Sequence, residues 1–180
     1  SFRHTFKQFL PEYTLSEEEL LSFLGPPLRE SFARYLSGHQ VDEAVEVYRA
    51  YNREKHNDYV TLYPHETEVL KKLHEEGIKM AIVTTKYKDA AVYGLKCADL
   101  DQYFDVVIGS DEVTHGKPHP EALRVALSHL NATKGYMIGD NVTDIQAGKN
   151  AGIGTIGVTW SLKGTQFLLE EHPDYMMESY

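Results

Sequence analysis

Along the first third of the chain, apolar positions recur at spacings of three and four. Phe2, Phe6 and Phe9 make one helical stripe. Ser16-Glu17-Glu18-Glu19 precedes Leu20, Leu21 and Leu24 and reads as a capping box, in which Ser16 accepts from a free N–H at the helix start and Glu19 reaches back. Gly25-Pro26-Pro27 should end that helix. Leu28, Phe32 and Tyr35 predict another, and Val41, Ala44, Val45, Tyr48 and Tyr51 a longer one. No strand of useful length is predicted before about Tyr59.

Beyond Leu62 the pattern changes to short β-branched runs separated by amphipathic stretches. The runs are KMAIVTT, DVVIGS, GYMIGD and TIGVTW. Their continuous apolar character predicts strands covered on both faces, as in a parallel sheet. Helices are expected near Glu66–Glu76, Asp89–Leu95, Glu121–Leu130 and Asp144–Ala151, the first stopped by Gly77. Alternation of strand and helix predicts a doubly wound, Rossmann-like α/β core with a parallel sheet. The domain reading is therefore an all-helical part over residues 1–60 and an α/β core over residues 61–180, divided near Tyr59–Pro64.

Composition narrows the function. The 180 residues carry a formal charge of -9, from 18 Lys plus Arg against 27 Asp plus Glu. That balance argues against nucleic-acid or anionic-membrane partners, which call for basic patches, and means that a small anionic substrate needs local positive charge or a metal. Cys97 is the only cysteine, so no intrachain disulfide can form, and it is read as a buried thiol in a reducing, cytoplasmic setting. No run of about 18 apolar residues and no signal-peptide pattern occurs. The nine histidines are scattered without convincing ligand spacing and receive no role. Nothing in the pattern speaks to oligomeric state.

In an open parallel sheet, ligands bind beyond the carboxyl ends of the strands, so the residues after each run carry the chemistry. After KMAIV come Thr84, Thr85 and Lys86; after DVVIGS come Asp111 and then Lys117; after GYMIG come Asp140 and, four residues on, Asp144. Taken singly, Thr84 reads as a helix cap, Lys117 as a surface lysine, and the two aspartates as an N-cap and a first-turn acid. Taken together they have a chemical account. Paired carboxylates suit magnesium, which prefers oxygen ligands, while lysine and threonine suit phosphoryl oxygens. The set describes phosphoryl transfer.

At this point the sequence resembles the haloacid dehalogenase-like hydrolases, in particular their phosphoglycolate phosphatase and pyrophosphatase-like branch with a helical cap. MAIVTTK resembles the family's second motif, GKPHP the third and GDNVTDIQAGKNAG the fourth, in the right order. GPPL at Gly25–Leu28 and YRAY at Tyr48–Tyr51 resemble cap segments, and VTTK, AGKNAG and PDYM are further points of likeness to pyrophosphatases of the branch. The resemblance implies that Thr84 hydrogen-bonds the transferring phosphoryl group and that Lys117 neutralises it. It also implies that Asp140 ligates magnesium with Asp144 supporting the metal site, and that Thr85 and Lys86 add substrate contacts. Residues 1–60 would be the cap, with Arg49 and Arg29 as candidate anion contacts, although each alone reads as an ordinary surface ion pair.

The family's first motif, Asp-x-Asp-Gly-Thr, is absent. Asp99-Leu100-Asp101 has the spacing, but it follows a helix rather than a strand and lacks Gly-Thr, so it reads as a helix terminus. In the family that motif supplies the attacking carboxylate and the general acid, on a strand central to the sheet, between those carrying the second and fourth motifs. The parent protein is therefore expected to carry roughly 20–25 further residues, a strand and its turn. These 180 residues alone are expected to be inactive. The leading expectation is a magnesium-dependent phosphatase of a small phosphorylated metabolite such as phosphoglycolate. An inorganic pyrophosphatase, a sugar-phosphate mutase of the same branch and a noncatalytic phosphate-binding regulator are the alternatives.

Overall fold

The computed structural model describes residues 1–180, which form two compact units, Ser1–Thr61 and Leu62–Tyr180. The first is all helical: α1 (Phe2–Phe9), α2 (Glu17–Ser22), α3 (Leu28–Ala33), α4 (His39–Glu54) and the single turn α5 (His56–Tyr59). Helices α1 and α3 pack on α4. The stripes predicted from the sequence meet there, with Phe6, Phe23, Phe32, Val41 and Ala44 buried together and Phe2 and Tyr48 against them. Phe32 is fully buried, and Phe6 meets the edge of Tyr35 with ring centroids 5.0 Å apart.

The capping box at α2 forms as expected: Ser16 Oγ accepts from the Glu19 N–H at 3.1 Å and the Glu19 carboxylate accepts from the Ser16 N–H at 2.8 Å. Glu19 also accepts from the hydroxyls of Tyr13 and Tyr35. These donors, Tyr13 foremost, hold its carboxyl down at about 2, and the same bond pushes the Tyr13 phenol up to about 12.

The second unit alternates strand and helix: α6 (Glu66–Glu75), β1 (Ala81–Val83), α7 (Lys88–Cys97), β2 (Val106–Ile108), α8 (Glu121–His129), β3 (Tyr136–Gly139), α9 (Val142–Ala151), β4 (Gly154–Val158), α10 (Gln166–Glu170) and β5 (Tyr175–Met177). Every ladder is parallel. Ala81 aligns with Val106 in β1–β2, Tyr136 with Gly154 in β3–β4, and Ile156 with Tyr175 in β4–β5. The ladders form two sheets, β1–β2 and β3–β4–β5, with no strand between β1 and β3. Helix α8 serves both, because Ala122 and Ala126 pack with Ile108 of β2 while Leu123 packs with Met137 of β3 and Ala147 of α9.

Three expectations are corrected. β3 is not covered on both faces: Met137 is buried, but Tyr136 and Ile138 are 58% and 49% exposed, because α8 and α9 meet only the Met137 side. Cys97 is exposed rather than buried, since it ends α7. Helix α10 and strand β5 have no counterpart among the predicted elements. A non-local contact secures β5: the Asp174 carboxylate accepts from the Thr155 N–H at 2.7 Å and its hydroxyl at 3.0 Å, which holds the carboxyl below its ordinary range.

The Asp99-Leu100-Asp101 segment is a helix terminus. Asp99 has φ of 55°, its N–H donates to the Lys96 carbonyl at 3.2 Å, and the Leu100 N–H donates to the Leu95 carbonyl at 2.9 Å. That crossed pair is the Schellman ending of α7, with Leu100 buried after it. Gly77, with φ of 75°, follows the C-cap residue Glu76 and stops α6 as the sequence predicts.

Candidate active site

At the carboxyl end of β1 the ladder continues one residue, the Thr84 N–H donating to the Ile108 carbonyl at 3.0 Å. Thr84 Oγ1 accepts from the Lys86 N–H at 3.1 Å, which turns the chain toward α7. Helix α7 is capped from the neighbouring strand's loop, where Asp111 Oδ1 accepts from the Lys88 N–H at 2.8 Å. Gly109 permits this approach: a Cβ there would lie 2.3 Å from the Lys88 nitrogen.

Lys117 arrives from the loop before α8 and joins the two sheets. Its Nζ donates to the Val83 carbonyl at the end of β1 at 3.1 Å and lies 2.6 Å from Asp144 Oδ1 in α9. The two side chains retain only 10% and 7% of their exposure, so the ion pair sits largely out of water. Asp144 Oδ2 accepts from the Asn141 N–H at 3.0 Å, tying the carboxylate to the start of its own helix. A Cβ on Gly139 would fall 2.4 Å from Asp144 Cβ and Oδ2. Glycine at the end of β3 is what lets the carboxylate lie against the strand.

Asp140 differs from Asp144 in every respect that matters for a ligand. It is exposed, its Oδ1 accepts from the Asn141 side-chain amide at 3.1 Å, and its backbone carbonyl accepts from Ser161 Oγ at 2.9 Å. Lys163 Nζ lies 3.1 Å from Asn141 Oδ1. The loop after β4 that carries Ser161 and Lys163 is anchored by Trp160, whose ring meets those of Tyr63 and Tyr180 at 5.8 and 5.2 Å.

The structure therefore brings Lys117, Asp144 and the end of β1 together, and sets a second lysine, Lys163, on Asn141, the residue after Asp140. Asp144 has one oxygen on Lys117 and the other on the Asn141 N–H, so it holds the lysine and the start of α9 together. Thr85 is half-buried and Lys86 exposed, in the turn between β1 and α7. Arg29 and Arg49 lie in the helical unit, where they pair with Asp42 and, at 3.0 Å, with Glu46.

Sequence reasoning missed Asn141, Ser161 and Lys163. The strand-end rule applied to TIGVTW as well would have pointed to the last two. It also gave the histidines no role, whereas the structure gathers His115 and His119 around Glu121. As for a metal, the donor chemistry fits magnesium at Asp140, an exposed hard oxygen donor among hydroxyl and amide oxygens that leaves room for the waters this ion retains.

Residues 1–158 match the haloacid dehalogenase-like hydrolase family. The chain belongs to that family. The relatives of this haloacid dehalogenase-like hydrolase place it in the family's phosphatase branch. Over 180 residues it is 44% identical to the pyrophosphatase PpaX of Listeria monocytogenes, covering 99% of this chain and 82% of the relative. The PpaX of Bacillus velezensis is 43% identical with the same coverage. Among solved structures, a haloacid dehalogenase-like hydrolase of Streptococcus pneumoniae superposes with a TM-score of 0.83 at 30% identity, covering 97% of this chain and 82% of that one. CbbY of Rhodobacter sphaeroides, solved in complex with phosphate, shares the fold with a TM-score of 0.83 at 19% identity, covering 99% of this chain and 84% of that one.

Proposed function

We propose that this haloacid dehalogenase-like phosphatase is magnesium-dependent and acts on inorganic pyrophosphate, with the helical unit as its cap domain. The observation that carries the reading is the Lys117 bridge. A nearly buried ammonium, held between the Val83 carbonyl and the Asp144 carboxylate, is a fixed positive charge at the end of β1, the strand that Thr84 follows. Preorganised charge of this kind stabilises a phosphoryl group without reorganising during reaction. Pyrophosphate is preferred to phosphoglycolate because relatives 43–44% identical across the chain are named pyrophosphatases.

In this reading Lys117 binds a phosphoryl oxygen while Asp144 keeps the ammonium aimed. Thr84, and with it Thr85 and Lys86, donates to the remaining oxygens, and Asp140 would hold the magnesium. The bound ion would supply further neutralisation of phosphate charge. Lys163, beside Asn141, adds positive charge on the flank where a second phosphate of pyrophosphate would lie. The resemblance puts the attacking carboxylate on a strand between those carrying the second and fourth motifs, and β1 and β3, which carry them here, have no strand between them. Arg29 and Arg49 are the cap's candidate substrate contacts.

The test is orthophosphate release by the full-length protein with magnesium, comparing pyrophosphate with phosphoglycolate and a sugar phosphate. Faster turnover of pyrophosphate is expected, with loss of activity in Lys117→Met. Preference for phosphoglycolate would return the reading to that substrate, and no turnover of any of them would leave a binding protein.

A further inference from the structure

The loop that delivers Lys117 carries a second group of ligand atoms on its outer surface. Glu121, the first residue of α8, turns its carboxylate back over the loop, Oε1 accepting from the Thr114 N–H and Oε2 from the His115 N–H, both at 2.9 Å. Those bonds fix the carboxylate before any ligand arrives. His115 Nδ1 lies 3.0 Å from Glu121 Oε2, and His119 Nδ1 lies 3.9 Å from the same oxygen. The two imidazoles face each other with centroids 4.6 Å apart, and one ligand atom from each of the three residues lies within 4.8 Å of the others.

We propose that His115, His119 and Glu121 form a binding site for a divalent transition metal of the zinc class, separate from the Asp140 site. Bonds of about 2.0–2.1 Å in a tetrahedral shell place ligand atoms roughly 3.4 Å apart, within the range the three residues already span. Small rotations about the histidine side chains complete the geometry, and both rings, 62% and 49% exposed, are free to make them. The fourth position opens to solvent.

Ligand chemistry separates this site from the phosphoryl site. Two imidazoles and one carboxylate suit Zn²⁺, Co²⁺ or Ni²⁺, whereas magnesium takes oxygen donors and gives up its waters reluctantly. His119 Nδ1 now accepts a long hydrogen bond from the Glu121 N–H at 3.3 Å. An ion on that nitrogen would replace it at little cost, because a first-turn N–H can turn to water. His115 and His119 flank Lys117 by two residues on either side, so a bound ion would clamp the loop that presents it. The binding itself does not depend on the pyrophosphatase reading.

The experiment is titration of the untagged, metal-stripped, full-length protein with Co²⁺, followed by visible absorption, and with Zn²⁺, followed by calorimetry. A ligand-field spectrum that Zn²⁺ abolishes and excess Mg²⁺ leaves unchanged is expected. His115→Asn and His119→Asn should each weaken binding by at least about tenfold, and the double variant should abolish it. Asp140→Asn should leave it intact. Absence of binding, binding unchanged in the double histidine variant, or binding lost in Asp140→Asn and kept in the double variant would each overturn the proposal. Since both imidazoles are exposed, the variants should retain wild-type circular dichroism, which is measured alongside.

Discussion

The ion pair between Lys117 and Asp144 lends itself to a quantitative test. At 2.6 Å and an effective dielectric constant of about 20, two unit charges attract by about 6 kcal/mol, most of which offsets the cost of removing both from water. Lys117→Met leaves Asp144 nearly buried with only the Asn141 N–H as donor, and should cost about 3–5 kcal/mol. Asp144→Leu strands the ammonium on the Val83 carbonyl and removes the link to the helix start, with a loss of similar size. Once one charge is gone, however, removing the other relieves an uncompensated buried ion. The double variant should therefore lose about 2–3 kcal/mol less than the sum of the single losses. Urea unfolding followed by the fluorescence of Trp160, the sole tryptophan, reads this in the unit that holds the pair. Salt should change the coupling little, because a pair so enclosed is poorly screened. Losses that add to within about 0.5 kcal/mol would refute the argument and make Lys117 and Asp144 independent neighbours.

Gly139→Ala should destabilise by about 1–3 kcal/mol, since its Cβ would fall 2.4 Å from the Asp144 side chain, and differential scanning calorimetry would measure the drop. Phe32→Ala removes a fully buried ring from the helical unit and should cost about 3–5 kcal/mol, seen as faster hydrogen exchange in α1, α3 and α4. The Glu19 carboxyl, held at about 2 against an ordinary value of 4.5, contributes stability that is fully present above pH 4.5 and lost as pH falls toward 2. Tyr13, raised to about 12, contributes stability that is present below pH 10 and lost as pH rises through 12. Both limbs of the pH–stability curve of the helical unit should flatten in Glu19→Gln.

Local chemistry is legible in the order of the residues alone. The Ser16–Glu19 box, the ending of α7 at Asp99, the stop at Gly77 and the four apolar runs involve residues within a turn or two of each other, so spacing specifies them. Position after a run is enough to single out Thr84, Lys117, Asp140 and Asp144. What those residues do to one another depends on contacts far apart in sequence. Asp144 becomes the partner of Lys117 because the loop before α8 crosses to the start of α9. Lys163 comes to Asn141 through the turn after β4, and β5 is secured by Asp174 reaching Thr155. The exposure of Tyr136 and Ile138 belongs to the same class, for an apolar run states that a residue can be buried, and only the helices packed on the sheet decide which face is. His115, His119 and Glu121 lie within seven residues, yet they meet only because the Glu121 carboxylate folds back onto the loop ahead of it.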